Sequence, residues 1–197
     1  MKSSRFLLPV ALMALSTVAF AQSDASHPGT HSEAHASSTA TAVVSSETQK
    51  SFDQLKSLAG EWTGPVTVAE MPELHTTMAL SLRVTSRGHV LVHEFQEAGT
   101  PLDPTKYDHP VTMFYVDGDQ LTLVHYCDAG NRPRMIGTRS PDTRTVDFEL
   151  KDISGSTEYH MHHAVLTVID ANHHTEDWTF MMKDKPMHAH FDLWRKN

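Results

Sequence analysis

Several features of other protein classes are missing from this sequence of 197 residues. It has a single cysteine, Cys127, so an internal disulfide is excluded and stability must come from a hydrophobic core. The formal net charge is −8, and removal of Lys2 and Arg5 with an N-terminal segment would make it −10. This acidity excludes the basic surface typical of proteins that bind nucleic acid or anionic membranes. After residue 21, no apolar run is long enough to span a bilayer.

Motifs of the common enzyme classes are also absent. The sequence contains no Gly-x-Ser-x-Gly, no Walker loop, no His-Glu-x-x-His and no Cys-x-x-Cys. Hydrolases with a nucleophile elbow, P-loop NTPases, zincin proteases and thioredoxin-like enzymes are therefore excluded. Acid–base catalysis by a histidine acting on a bound substrate stays open, because it needs no such motif.

The first 50 residues differ in composition from the rest of the chain. A basic start precedes an apolar run over residues 6–20, and Ala19 and Ala21 are small residues at the positions that a signal peptidase recognises. The pattern predicts a signal peptide over 1–21 and a periplasmic or secreted protein; a retained membrane anchor is the alternative. Residues 22–50, rich in Ser, Ala, Thr and His and without aromatic residues, predict a flexible tether.

From residue 51 onwards, the pattern predicts an all-β domain. Phe52, Leu55 and Leu58 have the spacing of a short helix, which Gly60 ends. Short β-rich segments follow at intervals near ten residues, which is typical of a sandwich or barrel. We expect a single antiparallel up-and-down β-barrel over 51–197 with a short N-terminal helix. Its ten strands are predicted over 61–69, 76–86, 89–97, 110–116, 119–127, 132–139, 144–151, 157–169, 173–183 and 186–195.

Alternation along these strands predicts which side chains point into the barrel. Two-residue turns at Arg87-Gly88 and Asp117-Gly118 set the register of the early hairpins, and similar turns set that of the late ones. A histidine in an apolar wall is a perturbed base, a metal or haem ligand, or a buried side chain with its hydrogen bonds satisfied. The residues expected to line a ligand site in the interior are His93, Phe114, His125, His163 and Trp178.

Arg134 is a further candidate for binding a ligand. It follows the turn at Gly130-Asn131 and is expected near the barrel rim. A guanidinium at a barrel mouth commonly binds a carboxylate, because its fork of donors matches two oxygens. A solvated arginine after a hairpin turn is the alternative.

The outer face of the last strands offers a metal site as another hypothesis. Turns at 171–172 and 184–185 would place His162, Met181 and His188 in one row across three strands. Neighbouring strands lie about 4.8 Å apart, so the two histidines would be roughly 10 Å apart at the backbone. Imidazoles with a thioether between them suit Cu or Zn. A polar, solvated face is the alternative.

Two stretches carry a resemblance to a known group of proteins. Leu58-Ala59-Gly60-Glu61-Trp62-Thr63-Gly64 resembles the Gly-x-Trp opening of the calycin barrels, which include lipocalins, fatty-acid-binding proteins and nitrobindin-like haem barrels. The stretch from His125 to Met135 is similar to one in uncharacterised exported bacterial lipocalin-like proteins. The resemblance implies that Trp62 packs beneath a basic residue from near the chain end, with Arg195 as the candidate, to form the barrel base.

Three functions follow as hypotheses from these observations. The first is an exported barrel that binds a small apolar or amphiphilic molecule inside, with haem among the candidates. The second is a calycin-fold lyase or isomerase that uses an interior histidine as base. The third is a periplasmic protein that handles Cu or Zn through His162 and His188.

Overall fold

The computed structural model describes residues 46–196, so the predicted signal peptide and most of the predicted tether lie outside the described residues. The described chain is all-β, with one helix, α1 (Glu47–Lys56), and a 3-10 turn (Ser86–Gly88). The predicted class and the short N-terminal helix are confirmed. The ten strands are β1 (Gly60–Val68), β2 (Thr76–Thr85), β3 (Val90–Glu97), β4 (Val111–Asp117), β5 (Gln120–Tyr126), β6 (Arg132–Arg139), β7 (Thr145–Ser154), β8 (Tyr159–Asp170), β9 (His173–Met182) and β10 (Lys185–Arg195).

These strands form a closed antiparallel barrel in which each strand pairs with its neighbours in the chain. β1 and β10 close it, with Trp62 opposite Arg195 and Val66 opposite Phe191. Gly64 lies between these pairs, where any side chain would overlap the carbonyl oxygen of Asp192. Glycine is therefore required at the point where the first and last strands meet. Within the described residues, no helix is long and apolar enough to cross a membrane.

α1 packs against one end of the barrel. The Ser46 side chain accepts a hydrogen bond from the backbone N–H of Gln49 at 3.1 Å, which caps the helix N-terminus. Phe52 and Leu55 are buried against the core. α1 therefore includes residues 47–50, which the sequence pattern had assigned to the tether.

Arg195 and Trp62 form the barrel base beneath α1. The guanidinium carbon lies 4.2 Å from the centroid of the fully buried Trp62 ring. The same guanidinium donates to the carbonyl oxygens of Ala59 and Ala171 at 2.8 Å and of Ser57 at 3.3 Å. One side chain thus ties together the end of α1, the start of β1 and the turn before β9.

Two β-bulges in β8 reverse the faces of the residues between them. The register with β9 shifts between Val168 and Asp170 and again between Met161 and His163. A bulge adds one residue to a strand, and every side chain beyond it then points to the other face of the sheet. Ala164, between the bulges, is consequently buried, whereas His163 points outwards. The expected inward orientation of His163 is wrong for this reason.

The last hairpin also turns at a different place from the expected one. Met182 pairs with Lys185, so the turn is Lys183-Asp184 and the register differs by two residues. A shift of two leaves the faces unchanged but alters the partners. His188 pairs with Thr179, which in turn pairs with His163, while His162 lies in a bulge. The expected row of His162, Met181 and His188 is therefore wrong.

Candidate functional site

The barrel interior contains a cavity of about 160 Å³. It lies towards the end remote from α1, since the wall includes Val68 at the end of β1 and Met78 near the start of β2. The wall is almost entirely carbon and is rich in aromatic rings and thioethers. Phe95, Met161, Trp178, Phe180 and Phe191 contribute to it. Two histidines, His93 and His125, complete the lining.

A buried carboxylate lies beside this cavity and accepts three N–H donors. Oε2 of Glu176 lies 2.9 Å from Nε2 of His93 and 2.8 Å from Nε1 of Trp178. Oε1 lies 3.1 Å from Nε2 of His174, whose ring packs edge-on against Trp62 at 4.3 Å. The network therefore runs from the barrel base to the cavity wall.

Glu176 is ionised in this network. Its side chain has no solvent exposure, and burial alone would raise the pKa of its carboxyl group. The charge of His93 and the hydrogen bonds from His174 and His93 outweigh that effect and hold the pKa well below its usual range. A negative charge is thereby kept inside an otherwise apolar barrel, because its neighbours donate to it.

His125 is a neutral imidazole two strands from His93 in the same wall, since Thr112 on β4 pairs with both residues. Its Nδ1 lies 2.8 Å from the hydroxyl of Thr112, which is also buried. Burial, with a smaller contribution from the nearby charge of His93, lowers the pKa of His125 to about 3. The ring stays uncharged at physiological pH and has one nitrogen available for a further hydrogen bond.

Three ring nitrogens of these histidines have no hydrogen-bond partner in the described structure. They are Nδ1 of His93, Nε2 of His125 and Nδ1 of His174, and all three are buried. A buried polar atom without a partner costs about 1–3 kcal/mol. The rings of His93 and His125 both line the cavity, although these nitrogens present almost no accessible surface to it.

The structure brings together most, but not all, of the expected site residues. His93, His125 and Trp178 meet at the cavity, with ring centroids of both histidines less than 6 Å from that of Trp178. Phe114 is also inside, but it packs behind His93 rather than lining the cavity. Glu176 and His174 were missed, although alternation from Trp178 places both residues on its face.

Arg134 does not contribute to the cavity. Its guanidinium forms a hydrogen-bonded ion pair with Asp152 on the neighbouring strand, where both side chains are partly exposed. The register of β6 against β7 shifts immediately after Arg134, next to this pair. The expectation of a rim arginine available to a carboxylate ligand is therefore wrong, because a carboxylate of the chain itself occupies it.

The interior does not fit a haem group. A cavity of about 150 Å³ with apolar walls is known to hold a molecule the size of benzene. The cavity here, at about 160 Å³, is of that size. The Phe95 and Phe191 rings stack at 4.6 Å in its wall, and a haem macrocycle is several times the size of benzene.

A groove of about 560 Å³ on the outer face carries three more histidines. Each is bonded to a carboxylate. His163 Nε2 lies 2.7 Å from Asp147, His188 Nδ1 lies 2.6 Å from Glu70, and His190 Nδ1 lies 2.7 Å from Asp177. Asp147, Glu149 and His163 also have donor atoms within 4.8 Å of one another. On the outer face, His188 thus shares a groove with His163, whereas the sequence had placed it beside His162.

Comparisons with known proteins support the fold alone. No family model and no curated protein matches the sequence. Among solved structures, Rv2717c from M. tuberculosis is similar, with a TM-score of 0.55 and 17% identity over 75% of this chain and 98% of that one. A protein of unknown function from the DUF3598 family of Nostoc punctiforme PCC 73102 (Npun_R4044) has a TM-score of 0.50 and 9% identity, over 72% of this chain and 48% of the other.

Proposed function

We propose that this protein is an exported, calycin-type barrel that binds a small, mainly apolar molecule beside His93 and His125. The observation that carries the proposal is the apolar interior cavity, with two lining histidines that each retain a buried ring nitrogen without a partner. Small-molecule sites are usually apolar pockets with a few converging polar groups. Export is inferred from the N-terminal sequence pattern and is tested by amino-terminal sequencing of the exported protein.

The cavity restricts the size of the ligand. Its volume of about 160 Å³ suits a single ring or a short branched chain. Burial of carbon surface against Trp178, Phe180 and Phe191 would supply the affinity, at about 25 cal/mol per Å² of apolar surface removed from water. A single polar group next to His93 or His125 would add selectivity, because it satisfies a ring nitrogen that is otherwise unpaired.

The test is calorimetric titration of the purified protein with benzene, toluene and phenol. We expect binding of all three in the wild-type protein and none in Ala189→Leu, because the added side chain fills the cavity that Ala189 lines. Ala79→Leu is the matched control, since Ala79 alternates with the buried Leu80 and lies on the outer face of β2. Equal binding by wild type and Ala189→Leu would contradict the proposal.

A second candidate is acid–base catalysis on the molecule bound in the cavity. The pairing of His93 with Glu176 favours it, because a carboxylate bonded to one nitrogen of the protonated ring orients a histidine that donates a proton through the other nitrogen. Turnover of a bound carbonyl compound in D₂O would then incorporate deuterium. His93→Gln should abolish this exchange while leaving ligand binding measurable.

A further inference from the structure

Two histidines of β8 form a hydrogen bond with each other. Nε2 of His160 lies 3.2 Å from Nδ1 of His162, and the ring centroids are 5.4 Å apart. Six other histidines of the described chain pair with a carboxylate. Within the described residues, no carboxylate forms an ion pair with either of these two rings. They also line neither the interior cavity nor the outer-face groove, so neither of those features explains the pair.

A bulge in β8 brings the two rings together. Residues two apart on a regular strand share a face, with their backbones about 7 Å apart. His162 is the residue that the register with β9 skips, between Met161 and His163. A bulge changes the direction of a side chain, and here the ring of His162 approaches His160 to hydrogen-bonding distance. His160 is only 8% exposed, whereas His162 is half-buried and in contact with solvent.

The carbonyl group of Thr157 determines which nitrogen of His160 is available. Nδ1 of His160 lies 2.8 Å from this oxygen, which can only accept, so Nδ1 carries the proton and Nε2 has a free electron pair. Nδ2 of Asn131 donates to the carbonyl oxygens of Ser156 and Tyr159, both at 2.6 Å, and thereby holds the loop before β8. Burial lowers the pKa of His160, so the ring is neutral at pH 7. Histidines that bind metals are commonly oriented by a carbonyl group on the other ring nitrogen.

The two nitrogens have the spacing of two ligands of one metal ion. Imidazole nitrogens bind metals at about 2.0–2.1 Å, so two of them in a tetrahedral site lie about 3.3 Å apart. The observed distance is 3.2 Å.

Met181 provides a third ligand from the neighbouring strand. It is the partner of His160 on β9, and the adjacent pair of Met161 and Phe180 lines the interior cavity. His160 and Met181 consequently share the outer face of the sheet. Directly opposite residues have Cβ atoms about 4.5–5.5 Å apart, which is within reach of a methionine thioether.

We propose that His160, His162 and Met181 bind a copper(I) ion on the outer face of β8 and β9. A thioether is a soft ligand that selects Cu(I), whereas Zn²⁺ takes thiolate, imidazole and carboxylate ligands. The ion takes the place of the proton between the two rings. That proton leaves Nδ1 of His162 and a proton from solvent binds to Nε2 of the same ring, so all three ligands stay neutral and no net proton is released. The site is separate from the ligand cavity and does not depend on it.

The test is an anaerobic titration of the full chain with Cu(I) in competition with the chromogenic chelator bathocuproine disulfonate. X-ray absorption at the copper edge of the complex with one equivalent identifies the ligands. We expect one tight site per molecule with two nitrogens and one sulfur around copper. Met181→Leu should remove the sulfur and weaken the affinity by about tenfold or more. Met182→Leu is the matched control, since Met182 pairs with Tyr159 instead of His160 and should leave both the sulfur and the affinity unchanged.

Histidine variants test the nitrogen ligands. His160→Gln and His162→Ala should each weaken Cu(I) affinity by at least about tenfold, the loss that removal of an indirect partner of a metal ligand already causes. Circular dichroism checks the fold, and His162→Ala keeps the site testable if His160→Gln fails to fold, because His162 is half-buried. Joint replacement of His27, His31 and His35 by alanine is the control for the N-terminal segment and should keep the tight site. Wild-type affinity in His162→Ala, a sulfur that remains in Met181→Leu, or loss of the tight site in the N-terminal control would overturn the proposal.

Discussion

The carboxylate of Glu176 on β9 accepts a hydrogen bond from Nε2 of His93 on β3, although 83 residues separate them in the sequence. Neither side chain is more than 1% exposed. β3 and β9 are not neighbours in the sheet, so the bond spans the interior of the barrel. It links the cavity wall to the buried network that ends at Trp62 through His174.

Replacement of Glu176 by glutamine should destabilise the protein by about 3–5 kcal/mol, because three buried N–H groups lose their charged acceptor. The measurement is the free energy of unfolding in urea. Asp177→Asn is the matched control, since Asp177 pairs with His190 on the outer face, where such pairs contribute about 1 kcal/mol or less. Similar losses in both variants would show that the buried network has no special role.

Acid should destabilise the folded barrel in two steps. The pKa of His125 is about 3 in the folded protein and about 6.5 when unfolded, so its contribution is complete above pH 6.5 and is lost as the pH falls towards 3. This difference corresponds to about 5 kcal/mol. The lowered pKa of Glu176 acts in the same direction: its contribution is complete above the ordinary carboxyl pKa and is lost at still lower pH.

Unfolding free energies between pH 7 and pH 4 test the histidine contribution. In His125→Gln the decline of stability over this range should be smaller than in wild type, because one group that binds a proton only on unfolding has been removed. His75→Gln changes an exposed histidine of the β1–β2 loop and should keep the wild-type decline. The same pH dependence in all three proteins would refute the assignment.

Trp62→Ala should lower the free energy of unfolding by about 3–5 kcal/mol, since it leaves a cavity in the fully buried barrel base. His125→Ala should lower the free energy of unfolding by less than Trp62→Ala does.

Arg195→Lys should also destabilise the protein. A lysine lacks the planar guanidinium that donates to the carbonyl oxygens of Ala59 and Ala171 while it covers the Trp62 ring. Thermal unfolding of the three variants gives this order, and a Trp62→Ala protein as stable as wild type would contradict it.

Arg134→Ala should change stability by about 1 kcal/mol or less and leave ligand binding in the cavity unaltered. The Arg134–Asp152 pair is partly exposed, and such pairs contribute little to folding. The check is the titration described for the cavity, repeated on this variant beside wild type. Loss of binding in Arg134→Ala would contradict the conclusion that Arg134 does not contribute to the ligand site.

Local sequence patterns determined the architecture of this protein. Alternation over five to ten residues and turn residues at regular intervals predicted ten strands in one barrel, and the structure has that arrangement. The same patterns placed His93, Phe114, His125 and Trp178 on the inner face, where the structure has them. These properties are local, because side-chain direction in a regular strand depends only on position along that strand.

Only the tertiary structure decided which partners the side chains of the site have and which residues of β8 point inwards. The two bulges in β8 exchanged His163 for Ala164 on the inner face, and a bulge depends on the hydrogen-bond register with β9 rather than on β8 itself. Asp152 paired with Arg134 because β6 and β7 are neighbours at a register shift. Glu176 met His93 only because barrel closure brought β3 and β9 to opposite sides of one interior. No local pattern encodes a contact across 83 residues, so the pairing of Glu176 with His93 emerged from the fold, although alternation along β9 alone places Glu176 on the inner face.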